Sequence, residues 1–135
     1  MPTLPTVVIR YAPHSGELDV TATRAQLRLV AGLLDAAVGR ISCDDSLDAS
    51  PFETCLVALS VRQRPTGGVA FHVVAGTREV IIEGARDPLG APADNLRDLA
   101  LHGQGWDHHH VEFFTDHYYL EESSLSVVVR LAPGS

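Results

Sequence analysis

The chain has 135 residues, of which 45% are hydrophobic, and no apolar run approaches the roughly 18–20 residues a membrane span needs, so the composition is that of a globular domain able to bury one core. Acidic residues outnumber Lys and Arg by 17 to 10, for a net charge of −7, and no basic cluster follows the path of a phosphate backbone; nucleic acid and membrane are disfavoured as partners. Met1–Pro5 lacks the basic and apolar regions of a secretory signal, which predicts a cytoplasmic protein whose two cysteines, Cys43 and Cys55, stay free.

Thr6-Val7-Val8-Ile9-Arg10-Tyr11 is rich in β-branched residues and reads as a strand. Pro13 to Gly16 turns the chain, and the alternating Glu17-Leu18-Asp19-Val20-Thr21 reads as the hairpin partner. Thr23-Arg24-Ala25-Gln26 fits a capping box, after which Leu27, Val30, Ala31, Leu34 and Val38 recur at helical spacing, with Gly39 as the stop. Cys43 to Asp48 is an acidic loop. Thr54–Arg64, Val69–Ala75 and Arg78–Glu83, separated by Pro65-Thr66-Gly67-Gly68 and Gly76-Thr77, read as an antiparallel meander.

Pro92 to His102 reads as a second helix, with Pro92 in the first turn, Leu96, Leu99 and Ala100 on its apolar face, and Gly103 and Gly105 at its end. A His-rich strand and a last strand, Ser124–Leu131, complete the chain. The predicted order is ββ-α-βββ-α-ββ, an α+β fold with a mainly antiparallel sheet and two helices packed on one face, a single domain over 1–135. No linker, low-complexity tract or internal repeat is visible in the sequence.

The chemistry concentrates in Trp106-Asp107-His108-His109-His110-Val111-Glu112-Phe113-Phe114. On a strand, alternation places His108, His110 and Glu112 on one face and His109, Val111 and Phe113 on the core face. Two histidines two residues apart stand about 6.5 to 7 Å apart at Cβ and can converge on one transition-metal ion. Glu112 lies about 13 Å from His108 on a flat strand, so a third ligand has to come from elsewhere, with His117, His72 and Asp107 as candidates. The ladder is either a metal site on His108 and His110 or a polar recognition surface.

Trp106, Phe113, Phe114, Tyr118 and Tyr119 crowd the same region, as at protein interfaces or as completion of the core around the second helix. Asp44-Asp45-Ser46-Leu47-Asp48 and Glu121-Glu122 form local acidic clusters that either steer a basic partner or solvate loops. Nucleophile elbow, phosphate loop, dinucleotide fingerprint and zinc-protease helix motifs are all missing, and Ser15, Ser42 and Ser60 stand in no motif context, so no enzyme is expected.

Several segments together carry a family likeness: Arg78-Glu79-Val80-Ile81-Ile82-Glu83-Gly84, then Asn95-Leu96-Arg97-Asp98-Leu99-Ala100, then Asp107 to Phe114, then Leu120-Glu121-Glu122-Ser123-Ser124 before an apolar strand. This pattern, over about residues 78 to 131, resembles the immunity protein 32 family. His108, His110 and Glu112 fall on its His-x-His-x-acid element, and Ser124 or Ser123 on the later serine. Residues Ala85 to Ala93 read as an insertion before the helix, and residues 1 to 64 carry no matching signature.

The resemblance implies a bacterial protein of a polymorphic toxin system that neutralises a cognate toxin by binding it, without cofactor. The binding residues expected on that reading are Trp106, Asp107, His108, His110, Glu112, Phe114, Tyr118 and Ser124. The alternative is a small metal-binding protein or metalloenzyme built on His108 and His110.

Overall fold

The computed structural model describes residues 7–133; Met1–Pro5 and Thr6, where the first strand is expected to begin, lie outside that range. β1 (Val8–Ala12) and β2 (Glu17–Ala22) form the expected hairpin. α1 (Arg24–Ala36) starts with the predicted box: Gln26 N–H donates to Thr23 Oγ1 at 3.2 Å, and Thr23 N–H donates to Gln26 Oε1 at 3.0 Å. Ala37, at φ 60°, ends the helix before Gly39 is reached. The chain then enters a strand the sequence did not suggest, β3 (Val38–Ser42), so Val38 leaves the helical stripe and is exposed.

The predicted strand over Thr54–Arg64 divides into β4 (Thr54–Cys55) and β5 (Ala58–Gln63). Between them Leu56 N–H bonds Ile9 O and Val57 N–H bonds Arg78 O, so the chain crosses from one sheet to another. β6 (Ala70–Val73) and β7 (Glu79–Gly84) follow as a hairpin. α2 (Arg86–His102) begins at Arg86 rather than Pro92; the apparent insertion Ala85–Ala93 is its cap and first turns. Pro92 sits inside the helix, where its fixed φ is helical and its buried ring offsets the lost backbone bond. β8 (His108–Val111) and β9 (Ser126–Leu131) complete the chain.

The expected single, mainly antiparallel sheet is corrected to two mixed sheets, ordered β4-β1-β2-β9-β8 and β3-β5-β7-β6. The β2–β9 and β5–β7 ladders are parallel, so β5 pairs with β7 and not with β6 as a meander requires. Parallel neighbours cannot be joined by a tight turn: the connection from β2 to β9 runs through both helices, and the one from β5 to β7 runs through β6. The helices pack against each other, α1 also touching β2 and β3 and α2 touching β7 and β8. Arg24 ties them at one end, donating to Ala100 O and Gly103 O at the C-terminus of α2, both at 2.7 Å.

The pairings also disclose a topological repeat that the sequence hides. β1-β2-α1-β3-β5 has the same order as β6-β7-α2-β8-β9, and the first two strands of each unit pair with the last two of the other. Registers agree position by position: Glu17↔Ser126 and Thr21↔Arg130 correspond to Glu79↔Ala58 and Glu83↔Arg62, and His108↔Arg130 corresponds to Val38↔Arg62. The helices bury matching positions, Leu27 with Leu89, Val30 with Pro92, Ala31 with Ala93 and Leu34 with Leu96.

The core draws on both sheets and both helices, with Ile9, Leu27, Leu34, Leu56, Ile82, Leu89 and Leu131 fully enclosed. A cavity of about 40 Å³ remains between helices and sheets, apolar in lining apart from the edges of Asn95 and His109. Two close approaches set the seam beside β6 and β7. A Cβ on Gly68 would strike the Tyr119 carbonyl, and one on Gly84 would lie 2.8 Å from Gly68 O. Gly68→Ala should therefore cost about 1–3 kcal/mol by overpacking against backbone, measured by denaturant unfolding. Gly90→Ala, where nothing lies within 4 Å, should not destabilise.

Candidate functional site

The outer face of the first sheet carries no helix. Its side chains are fixed by alternation: Val8 and Arg10 from β1, Glu17, Asp19 and Thr21 from β2, Ser126, Val128 and Arg130 from β9, His108 and His110 from β8. His108 and His110 are exposed neighbours, ring centroids 4.9 Å apart and edge to face, while Val111 is buried on the opposite side. The strand ends there, so Glu112 is an exposed loop residue beside Glu17 and His110 rather than the third rung of a ladder.

His109 faces inward, against α2 and the cavity wall. Burial holds its pKa below the ordinary histidine value, with the neighbouring His110 acting in the same direction and Asp98 opposing. Trp106 precedes β8 with φ 68° and an exposed ring. Its N–H donates to Leu131 O at 2.8 Å, fixing the backbone while leaving the indole outward. The Asp107 carboxylate accepts Gln104 N–H at 2.8 Å, closing the turn that presents Trp106.

The other expected residues sit in the β8–β9 loop. Phe114, His117, Tyr118 and Tyr119 form one aromatic cluster, Phe114 4.7 Å from His117 and Tyr118 stacked on His117 at 5.3 Å. Phe114 and Tyr118 are exposed; Tyr119 is buried, and burial first, then Tyr118, pushes its phenol up to about 12. His117 Nδ1 accepts Tyr119 N–H and Leu120 N–H, so that atom is committed to the loop. Ser124 is a stitch between sheets: its Oγ accepts Phe71 N–H at 2.9 Å and donates to Leu125 O at 3.0 Å. The expected residues thus divide between the Trp106–His110 face and the Phe114–Tyr118 loop.

The metal alternative lacks a ligand set. Among the described residues no group of three or more His, Cys, Asp or Glu side chains converges on one point. Of the candidate third ligands, His72 lies 3.5 Å from Glu83 on the second sheet, and His117 and Asp107 hold backbone amides. Two imidazoles alone do not close a zinc site. Nor is either cysteine an activated nucleophile: burial pushes the Cys43 thiol up to about 11, and buried Cys55 donates to Leu47 O.

Sequence reasoning missed Arg10, Asp19 and Arg130. Asp19 is the one buried charged residue among those described, and its Oδ2 accepts Arg130 Nε–H at 2.8 Å. Alternation in Glu17–Thr21 and Ser126–Leu131 puts both on a polar face, but their pairing depends on the parallel β2–β9 ladder. The acidic clusters are engaged internally. Asp45 meets Arg78 at 3.1 Å, Glu121 meets Arg64 at 2.6 Å, and hydrogen bonds from Ser46 and Ser50 hold Asp44 and Asp48 below the usual carboxylate range.

Residues 79–132 match the family Immunity protein 32, a span that runs from β7 through α2 and β8 to the end of β9. No curated protein and no solved structure matches the chain.

Because the folded state resists protonating His109 and the unfolded chain does not, the unfolded state takes up more protons below about pH 6.5 and stability falls there. The melting temperature should drop between pH 7.5 and pH 5, and the drop should shrink in His109→Leu; an equal drop in both proteins would assign it to other groups. Elemental analysis of untagged protein should give well under one equivalent of Zn, Ni, Cu or Fe, with a melt indifferent to chelator.

Proposed function

We propose that this chain is an immunity protein that neutralises a bacterial toxin domain by binding it directly, in the cytoplasm of the cell that makes both. The observation that carries this reading is the family match over residues 79–132, which spans the strand bearing His108 and His110. The exposed chemistry fits binding. Trp106, His108, His110 and Glu112 stand free on or beside an open sheet face, with Phe114 and Tyr118 exposed on the following loop. Aromatic side chains are enriched at protein interfaces, and Trp and Tyr among the residues that dominate their energies. Asp107 holds the turn before β8, and Ser124 ties the chain before β9 to β6. No helix among the described residues is long and apolar enough to cross a membrane.

The test is co-expression with a candidate toxin domain, sought first in the genes next to the one for this chain. The expected result is restored growth and a complex that survives size-exclusion chromatography. His108→Ala with His110→Ala should weaken binding about tenfold while leaving the melt nearly unchanged, since exposed substitutions usually shift stability by less than about 0.5 kcal/mol. A toxin that stays fully active beside a molar excess of folded protein would reject the reading.

A further inference from the structure

The outer face of the first sheet holds a groove of about 490 Å³ whose floor is Arg10, Asp19, Thr21 and Arg130 and whose walls are Trp106 on one side and Leu47 and Phe52 on the other. We propose that this groove is the anchor point of the toxin, and that it takes an Asp or Glu side chain flanked by an apolar residue. The proposal rests on the immunity reading above and adds the site and the chemistry of the partner.

The charges in the floor point to a carboxylate. Arg130 uses Nε on Asp19, and Arg10 uses Nε on Asp48 O at 3.2 Å. Neither interaction occupies a terminal guanidinium nitrogen, and those are the atoms that grip a carboxylate in a two-bond fork. Asp19 is spent on Arg130, and Asp48, whose carboxylate accepts Ser50 N–H and also feels the Arg10 charge, does not line the groove, so Asp19 is the one acid among the lining residues. The walls supply the apolar flank, with Trp106 58% exposed although the chain around it is well hydrogen-bonded.

The repeat shows that none of this is demanded by the architecture. The positions equivalent to Arg10, Asp19 and Arg130 on the second sheet are His72, Ile81 and Arg62, as the two sets of registers require. The place of Trp106, two residues before β8, is taken by Ala36 before β3. The same sheet is built there without a buried acid–arginine pair and without an aromatic wall. Trp and Arg are also the residue types that dominate interface energies.

Trp106 is the only tryptophan in the chain, so its fluorescence reports the groove directly. Full-length protein is titrated with acetyl-Leu-Glu-Leu-amide and with the Gln analogue. The Glu peptide should shift the emission saturably, at least fivefold more tightly than the Gln peptide, and Arg10→Gln should abolish the difference; no saturable shift, or equal affinities, overturns the proposal. With the toxin domain found by the co-expression test, Arg10→Gln and Trp106→Leu should each weaken binding at least tenfold at unchanged melting temperature. Control variants His72→Gln and Arg62→Gln on the equivalent face should stay within twofold. Toxin binding that survives both groove variants rejects the groove and leaves the immunity reading standing. A wild-type chain that does not bind the toxin rejects the immunity reading, and the peptide titration then decides the groove by itself.

Discussion

The structure depends on two parallel ladders, β2 against β9 and β5 against β7, each joining strands from opposite halves of the chain. Each half supplies a hairpin to one sheet and a second strand pair to the other, so neither half completes a sheet by itself. The connection between β2 and β9 carries α1 and α2, which pack on each other, while the one between β5 and β7 carries β6. Residues at the seams then serve both sheets at once. Leu56 bonds back to β1 just before β5 begins, and Leu125 bonds Phe71 on β6 just before β9 begins.

The family-matched segment acquires a physical meaning in this frame. Residues 79–132 hold β7, whose partners are β5 and β6, and the β8–β9 pair, whose next neighbour is β2. The matched stretch therefore contributes to both sheets without pairing its first strand to its last two. The remaining residues complete it, and they do so by repeating its own β-α-β-β order, with Leu27, Ala31 and Leu34 in the roles of Leu89, Ala93 and Leu96.

Charge is placed with similar economy. The net −7 does not collect on the candidate face, because Arg78 and Arg64 engage the acidic loops and Arg97 engages Asp35 and Asp94. Asp19 is the exception, a carboxylate taken out of water beneath a half-exposed guanidinium. Removing one partner of such a pair costs about 3–5 kcal/mol, because it strands the other charge. A fold that needed only a stable sheet would do as well with the Ile81 found at the equivalent position, so the pair is better explained by what its outer edge presents.

The sequence by itself determined the local features. The first hairpin, the Thr23 capping box, the stripe Leu27–Leu34, the inward turn of Val111 and the outward pair His108 and His110 all follow from short-range periodicity and cap chemistry, which act within a few residues. The start of α2 at Arg86 escaped it because Pro92 signals a first turn, whereas in the structure it is a buried residue of the helix interior. β3 escaped it because Val38 fits a helical stripe as well as a strand until Ala37 takes a left-handed backbone. The split of the sheet, the hidden repeat and the meeting of Arg10, Asp19, Arg130 and Trp106 in one groove were decided by tertiary structure alone. Parallel register between segments more than a hundred positions apart leaves no local trace, because the hydrogen bonds that set it join backbone atoms that every sequence has.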